Sequence, residues 1–475
     1  MPTQYGRTTN LENLEAAISR AQDTVQATPV DHPDRLMALD SLSNYLSSRY
    51  ERTGNLEDLE AAIRRAQDAV QAFSADHPDY AIVLDSLSNY LSSRYERTGN
   101  LEDLEAAIRR AQDAVQAFSA DHPDYAIVLD SLSNCLSSRY ERTGNLEDLE
   151  AAIIRAQDAV QATPVDHPDC AIYLNNLSNR LSSRYERTGN LEDLEAAIRR
   201  AQDAVQATPV DHPDYAIVLD SLSNRLSSRY ERTGNFDDLD AAISLCQDAV
   251  QATPVDHPDR LMVLDSLSNC LSSRYERTGN LEDLESAIRR AQDAVQATPV
   301  DHPDYAIVLD SLSNRLSSRY ERTGNFDDLD AAISLCQDAV QATPVDHPNL
   351  VGRLTTLSNC LSRRYERTGN LEDLEAAIIR AQDAVQATPV DHPDCVIYLN
   401  NLSNRLSSRY ERTGNLEDLE AAISRAQDVV QATPVDHPDY AIVLDSLSNR
   451  LSSRYERTGN LEDLEAAIRR AQDAV

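Results

Sequence analysis

Apolar side chains recur three or four residues apart along this chain, and the pattern repeatedly stops and restarts. Between residues 80 and 95 they fall at Tyr80, Val83, Leu84, Leu87, Leu91 and Tyr95, the spacing of a helix with one apolar stripe. Asp76, His77, Pro78 and Asp79 precede it. Proline suits a first helical turn, whose N–H groups lack helical partners, so Asp76 or His77 is the expected cap. Thr98-Gly99-Asn100 ends the stripe, with Gly99 free to take a positive φ. A second stripe follows at Leu101, Leu104, Ala107, Ile108, Ala111 and Val115. Asn100 is its expected cap, and Asp103, three residues on, completes the pattern of a capping box. Glu102, Glu105, Arg109 and Asp113 occupy the opposite face. Glu105 and Arg109 form an i,i+4 pair worth a few tenths of a kcal/mol. So short a connection predicts two antiparallel neighbouring helices, as at residues 33–52 and 55–73.

This helix pair is written again and again. The pattern starts at Tyr50 and restarts every 45 residues, at Tyr95, Tyr140, Tyr185, Tyr230, Tyr275, Tyr320, Tyr365, Tyr410 and Tyr455, with a looser first copy from Tyr5. A constant period in this range predicts a solenoid, in which each unit contacts only its neighbours and stacking builds one continuous core. The small Ala107, Ala111 and Ala114 let a neighbouring helix approach closely but leave little bulk in one unit, so a single hairpin is not expected to fold alone. The expected fold is an all-α superhelical solenoid of antiparallel helix pairs. Its expected organisation is a tail at 1–4 and an array at 5–475, with ten full repeats from Tyr5 and a partial one at 455–475. Neither end carries the extra polar helix that usually caps a solenoid, which points to a piece of a longer product. NFDDLDAAISLC occurs at both 235 and 325, the mark of duplication in multi-repeat blocks.

These residues resemble a tetratricopeptide repeat. That family's pattern runs L-G-x-x-Y, a glycine, A-x-x-x-F and a proline. Leu91-Ser92-x-x-Tyr95, Gly99, Ala107 and Ala111 follow it, with Ser for the small Gly and Ala for the aromatic. Ser119 stands at the proline place, which Pro209, Pro254 and Pro299 restore in later copies. Ser88 replaces the family's Trp, and the period exceeds the usual length of about 34 residues. The wording LSSRYERTGNLEDLEAAI resembles long fungal arrays that often precede a caspase-like CHAT peptidase domain, and the longer period is similar to that of kinesin light chains. The resemblance implies a non-enzymatic scaffold that binds a protein or extended peptide in a groove lined by the first helices. The alternative it implies is a regulatory or sensor array whose effector, such as a CHAT-type peptidase, is absent from this chain.

Charge and composition narrow the chemistry. The net charge is −35 and there is no Lys, so all 44 basic residues are Arg. Schiff-base and P-loop chemistry both need a lysine. So acidic a chain lacks the basic footprint of nucleic-acid binding, and no stretch is apolar enough for a membrane span. No signal-peptide pattern opens the chain, and the expected location is cytoplasmic. Cys135, Cys170, Cys246, Cys270, Cys336, Cys360 and Cys395 replace Tyr, Arg or Ala in register and form no C-x-x-C, which reads as drift rather than a disulfide framework. All ten His lie in D-H-P. One His per repeat gives separate places rather than the converging ligands a metal needs, so these read as turn or cap residues, with no metal and no cofactor expected. Acidic pairs such as Glu102 and Asp103 read as first-turn residues favoured by the helix dipole.

The groove that the resemblance implies would present Ser86, Asn89, Tyr90, Ser93, Glu96 and Arg97. Asn89 recurs as Asn44, Asn134, Asn179, Asn224, Asn269, Asn314, Asn359, Asn404 and Asn449. A file of amides can pair with the backbone of an extended peptide. The next position varies: Tyr45, Tyr90, Cys135, Arg180, Arg225, Cys270, Arg315, Cys360, Arg405 and Arg450. Read as specificity, it makes the second half of the groove more basic, and Arg180, Arg225, Arg315 and Arg405 join the candidate site.

Overall fold

The computed structural model describes residues 11–473, apart from 31, 33, 74–76, 78, 165, 256, 258, 301, 303, 346, 348, 389–394 and 434–439. The expected tail, the start at Tyr5, Asp76, Pro78, His392 and His437 lie outside the described residues. Among the described residues every element is a helix. The chain divides at Thr253–Pro254 into two compact units. The first holds α1 (Leu11–Ala27), α2 (Asp34–Thr53), α3 (Leu56–Ala72), α4 (Tyr80–Thr98), α5 (Leu101–Ala117), α6 (Tyr125–Thr143), α7 (Leu146–Ala162), α8 (Cys170–Thr188), α9 (Leu191–Ala207), α10 (Tyr215–Thr233) and α11 (Phe236–Ala252). The second holds α12 (Arg260–Thr278), α13 (Leu281–Ala297), α14 (Tyr305–Thr323), α15 (Phe326–Gln341), α16 (Leu350–Thr368), α17 (Leu371–Ala387), α18 (Cys395–Thr413), α19 (Leu416–Ala432), α20 (Tyr440–Thr458) and α21 (Leu461–Asp473). Each unit is a solenoid of antiparallel pairs. Within each unit consecutive helices pack together, and first helices of successive repeats, such as α2 with α4 and α4 with α6, touch as well.

The two-residue turn inside each pair is built as the glycine predicts. Gly99 sits at φ 71° and its N–H caps the Tyr95 carbonyl. Asn100 Oδ1 accepts from the Glu102 N–H at 3.1 Å and opens α5. The capping box does not form: the Asn100 N–H goes to Thr98 Oγ1, and the Asp103 carboxylate turns to an arginine described below. The first helix also starts later than expected. Asp79 is the N-cap residue of α4, without a side-chain cap bond. His77 Nδ1 instead accepts the Asp79 N–H at 3.2 Å, so the histidine holds the turn that leads into the helix.

The core follows the two stripes, trimmed at their ends. Val83, Leu84, Leu87 and Leu91 from α4 and Leu104, Ala107, Ile108, Ala111 and Ala114 from α5 are buried. Leu101 is exposed and Tyr80, Tyr95 and Val115 are only partly covered, because the helix ends project past the neighbouring pair. Ser88, at the family's Trp place, is fully buried and donates to the Ala107 carbonyl at 2.9 Å. The same bond recurs from Ser133 to Ala152, Ser178 to Ala197 and Ser268 to Ala287. A small hydroxyl here draws the first helix close to the second, where an indole would hold them apart.

Candidate binding face

A repeated ion pair fastens each hairpin. Arg94, near the end of α4, grips Asp103, in the first turn of α5, with Nε to Oδ2 at 2.8 Å and Nη2 to Oδ1 at 2.5 Å. The two-pronged contact recurs at Arg49–Asp58, Arg139–Asp148, Arg184–Asp193, Arg229–Asp238, Arg274–Asp283, Arg319–Asp328, Arg364–Asp373, Arg409–Asp418 and Arg454–Asp463. Parallel N–H···O bonds of this kind suit the planar guanidinium. Arg229 and Arg319 also reach back to Glu195 and Glu285 on the second helix of the preceding repeat. The acidic first turn is therefore a structural clasp.

The asparagine file lies along the first helices, where successive repeats meet. Asn44, Asn89, Asn134, Asn224, Asn269 and Asn449 donate through Nδ2 to an Asp one turn earlier, at 2.9–3.2 Å. At Asn44, Asn134, Asn179, Asn269, Asn359 and Asn404 the amide oxygen meets the next repeat. Tyr90 Oη donates to Asn44 Oδ1 at 2.7 Å, Arg180 Nη2 to Asn134 and Arg225 Nη2 to Asn179 at 2.5 Å, and Arg405 Nη2 to Asn359 at 2.7 Å. Arg315 pairs with Asn269, and Arg450 with Asn404. Asn314 lies exposed on α14. Where it is Tyr90 or an Arg, the varying position next to the file is thus the partner of the preceding repeat's amide.

That placement differs from an open groove wall. Tyr90, expected to be exposed, is 5% exposed, because its ring covers the seam to the repeat before it. Burial holds the Arg180, Arg225, Arg315 and Arg405 guanidinium groups below their usual basicity, and their Nε–H groups find no acceptor. Their charge is directed along the seam. Where the following repeat supplies Tyr90 or Cys135 instead of Arg, burial pushes the Asp40 and Asp85 carboxyls up to about 6. Each amide has two N–H groups and two acceptor lone pairs. An Asn bonded once to its Asp and once to its Arg or Tyr therefore keeps one donor and one acceptor for a ligand, in an orientation held from both sides.

Sequence reading missed a shallow cleft of about 460 Å³ between α3 and α5 over α4, walled by Gln67, Gln71, Leu87, Leu91, Arg109 and Arg110. Its walls come from three helices of two repeats, a juxtaposition no local pattern announces. Among the described residues no three His, Cys, Asp or Glu side chains are grouped to hold a metal. No described helix is long and apolar enough to cross a membrane.

A search of curated proteins returned no match. Among solved structures the chain is similar to a monomeric mutant of IFIT1 with Gppp-AAAA, at 14% identity and TM-score 0.42, over 98% of this chain and 96% of that one. It is also similar to BtubC (BKLC) from P. vanneervenii, at 14% identity and TM-score 0.35, over 52% of this chain and 91% of that one. Residues 35–79, 81–124, 170–214 and 397–439 match the family model of the tetratricopeptide repeat. Those stretches share their 45-residue wording with the copies between them; the chain is a tetratricopeptide-repeat protein.

Proposed function

We propose that this array is a non-catalytic scaffold that binds an extended protein segment along the first helices, with the asparagine file as the contact surface. The observation behind the reading is the two-sided grip on Asn44, Asn134 and Asn269. Asp130 holds Asn134 from its own helix, and Arg180 holds it from the next repeat, so this amide needs no reorganisation to meet a peptide backbone. In this reading Arg180, Arg225, Arg315 and Arg405 position the amides, and the asparagines make the contact. One bond contributes about 0.5–1.5 kcal/mol net, so affinity accrues over several repeats. A protein ligand fits the charge of −35 better than a nucleic acid does.

The test separates contact from support. Partners captured by the intact chain are identified by mass spectrometry and titrated against two variants. Asn89→Ala with Asn134→Ala and Asn179→Ala removes the amides. Arg180→Ala with Arg225→Ala removes only their supports. Loss of affinity of tenfold or more in the first variant, with a smaller loss in the second and unchanged helicity in both, is the expected result. Equal affinity for the first variant, or capture of RNA rather than protein, refutes the reading.

A further inference from the structure

Two thiols that look like drift in the sequence meet in the second unit. Cys336 on α15 and Cys360 on α16 are each 1% exposed and lie in one buried core cluster, close enough to perturb each other's ionisation. α14 supplies a shelf for both. Cys336 Sγ donates to Ser313 Oγ at 3.3 Å, and Ser317 Oγ lies 3.3 Å from Cys360 Sγ. The neighbouring Cys336 sulfur, with help from Ser317, eases Cys360 toward the thiolate, while the closeness of Cys360 and burial push Cys336 up.

The sequence carries a second, independent sign. At the place of Cys336 most repeats carry Ala, as at Ala111, Ala156, Ala201 and Ala291. Cysteine stands there twice, at Cys246 and Cys336, and both times the next first helix also carries one, at Cys270 and Cys360. The residues just before have diverged between the two copies, Met262 against Gly352, Val263 against Arg353, Asp265 against Thr355, while the cysteines stay.

We propose that Cys336 and Cys360 are a reversible redox modification site, closing to a disulfide with a small peroxide and stapling α15 to the first helix of the next repeat. The Cys360 thiolate attacks one oxygen of hydrogen peroxide. The S–O bond forms, the O–O bond breaks, and the departing hydroxide takes up the proton that Cys360 lost. The Cys336 thiol then attacks the sulfenic sulfur and its proton leaves with the second hydroxide. Two thiols and one peroxide give one disulfide and two waters. A small oxidant suits thiols this deep, which become reachable only as the α15–α16 joint opens locally.

The experiment uses the full chain and hydrogen peroxide. Trypsin cuts after Arg322, Arg353 and Arg363, so the disulfide joins peptides 323–353 and 354–363 and lowers their summed mass by about 2 Da, the two hydrogens lost. That linked pair is expected after mild oxidation, is lost on treatment with dithiothreitol, and is accompanied by slower amide exchange in α15 and α16. Cys135, which faces Ser88 rather than a second thiol, should keep its free thiol under the same conditions. Cys336→Ala restores the residue of the other repeats, so it should keep full helicity and form no linked peptide. Sulfinic or sulfonic acid on Cys360 without the linked pair, unreacted thiols, or links spread evenly over all seven cysteines would each overturn the proposal.

Discussion

The Arg94–Asp103 clasp gives an asymmetric prediction. The Asp103 side chain is 8% exposed and that of Arg94 is 27% exposed. Replacing Arg94 with Met strands a carboxylate that has almost no water. Breaking a buried pair by removing one partner costs about 3–5 kcal/mol, and the position of Asp103 at a helix N-terminus, where the dipole favours an anion, places this case near about 3 kcal/mol. Replacing Asp103 with Asn strands the arginine instead, but its guanidinium already reaches solvent and still has the amide oxygen as an acceptor. That change should cost about 1.5 kcal/mol, the low end for a hydrogen bond to a charged group. Because repeats open locally, amide exchange resolved by peptide mass spectrometry over α4 and α5 is the suitable assay. Arg94→Met should speed exchange there about a hundredfold, and Asp103→Asn about tenfold. Arg94→Met combined with Asp103→Leu should recover most of the loss, since an apolar pair of similar shape removes the stranded charge. Equal effects of the two single changes, or a double variant no better than Arg94→Met, would refute the account of who is buried.

Three further outcomes follow from other contacts. Asp40 and Asp85 have folded-state pKa values raised to about 6 by burial, so below the unfolded value near 3.8 they cost nothing, and stability falls as pH rises through 4–6; Asp85→Asn, the residue found at Asn175, should stabilise the first unit at pH 7 by about 2–3 kcal/mol and flatten its pH dependence in urea titrations. Gly144, at φ 70° with open space where a Cβ would stand, should lose about 1–2 kcal/mol on change to Ala from backbone strain alone, and less on change to Asn, by the same measurement. Ser88→Ala should destabilise the α4–α5 pair by about 1 kcal/mol through the lost bond to the Ala107 carbonyl, read as faster exchange confined to that pair.

Much of the fold was legible because its causes are local. Gly99 and Asn100 carry the turn in their own backbone and side-chain preferences, and the stripes through Leu87 and Leu104 need only helical geometry. Asp103 shows where local reading fails. The same carboxylate can reach back to the Asn100 N–H or across the turn to Arg94, and the charged partner wins while Thr98 takes the N–H. An Arg and an Asp on either side of the turn glycine in all ten hairpins from Arg49 to Asp463 were the available signal. The seam was harder still. Whether Tyr90 faces solvent or the preceding repeat depends on how one hairpin rotates against the next, and residues that meet across the seam, such as Arg180 and Asn134, lie a full repeat apart. Periodicity guarantees that some such contact recurs but does not say which residues make it.

The clasp has a bearing on how such a gene can change length. Ser88 to Ala107 and Arg94 to Asp103 both begin and end within one helix pair and span fewer than 45 residues, so a crossover that adds or removes whole periods carries every hairpin's fastenings with it. Few new surfaces must be invented at the joint, since Asn44, Asn134, Asn179, Asn269, Asn359 and Asn404 each meet a Tyr or Arg of the next copy. Arg353 is an exception to this freedom. It is buried and bonds Asp310 of the preceding repeat at 2.7 Å. A recombinant that set its repeat behind one with Asn175 or Thr355 at that place would bury a guanidinium without its carboxylate. The array is open to editing at most of its joins and has an inherited order at this one.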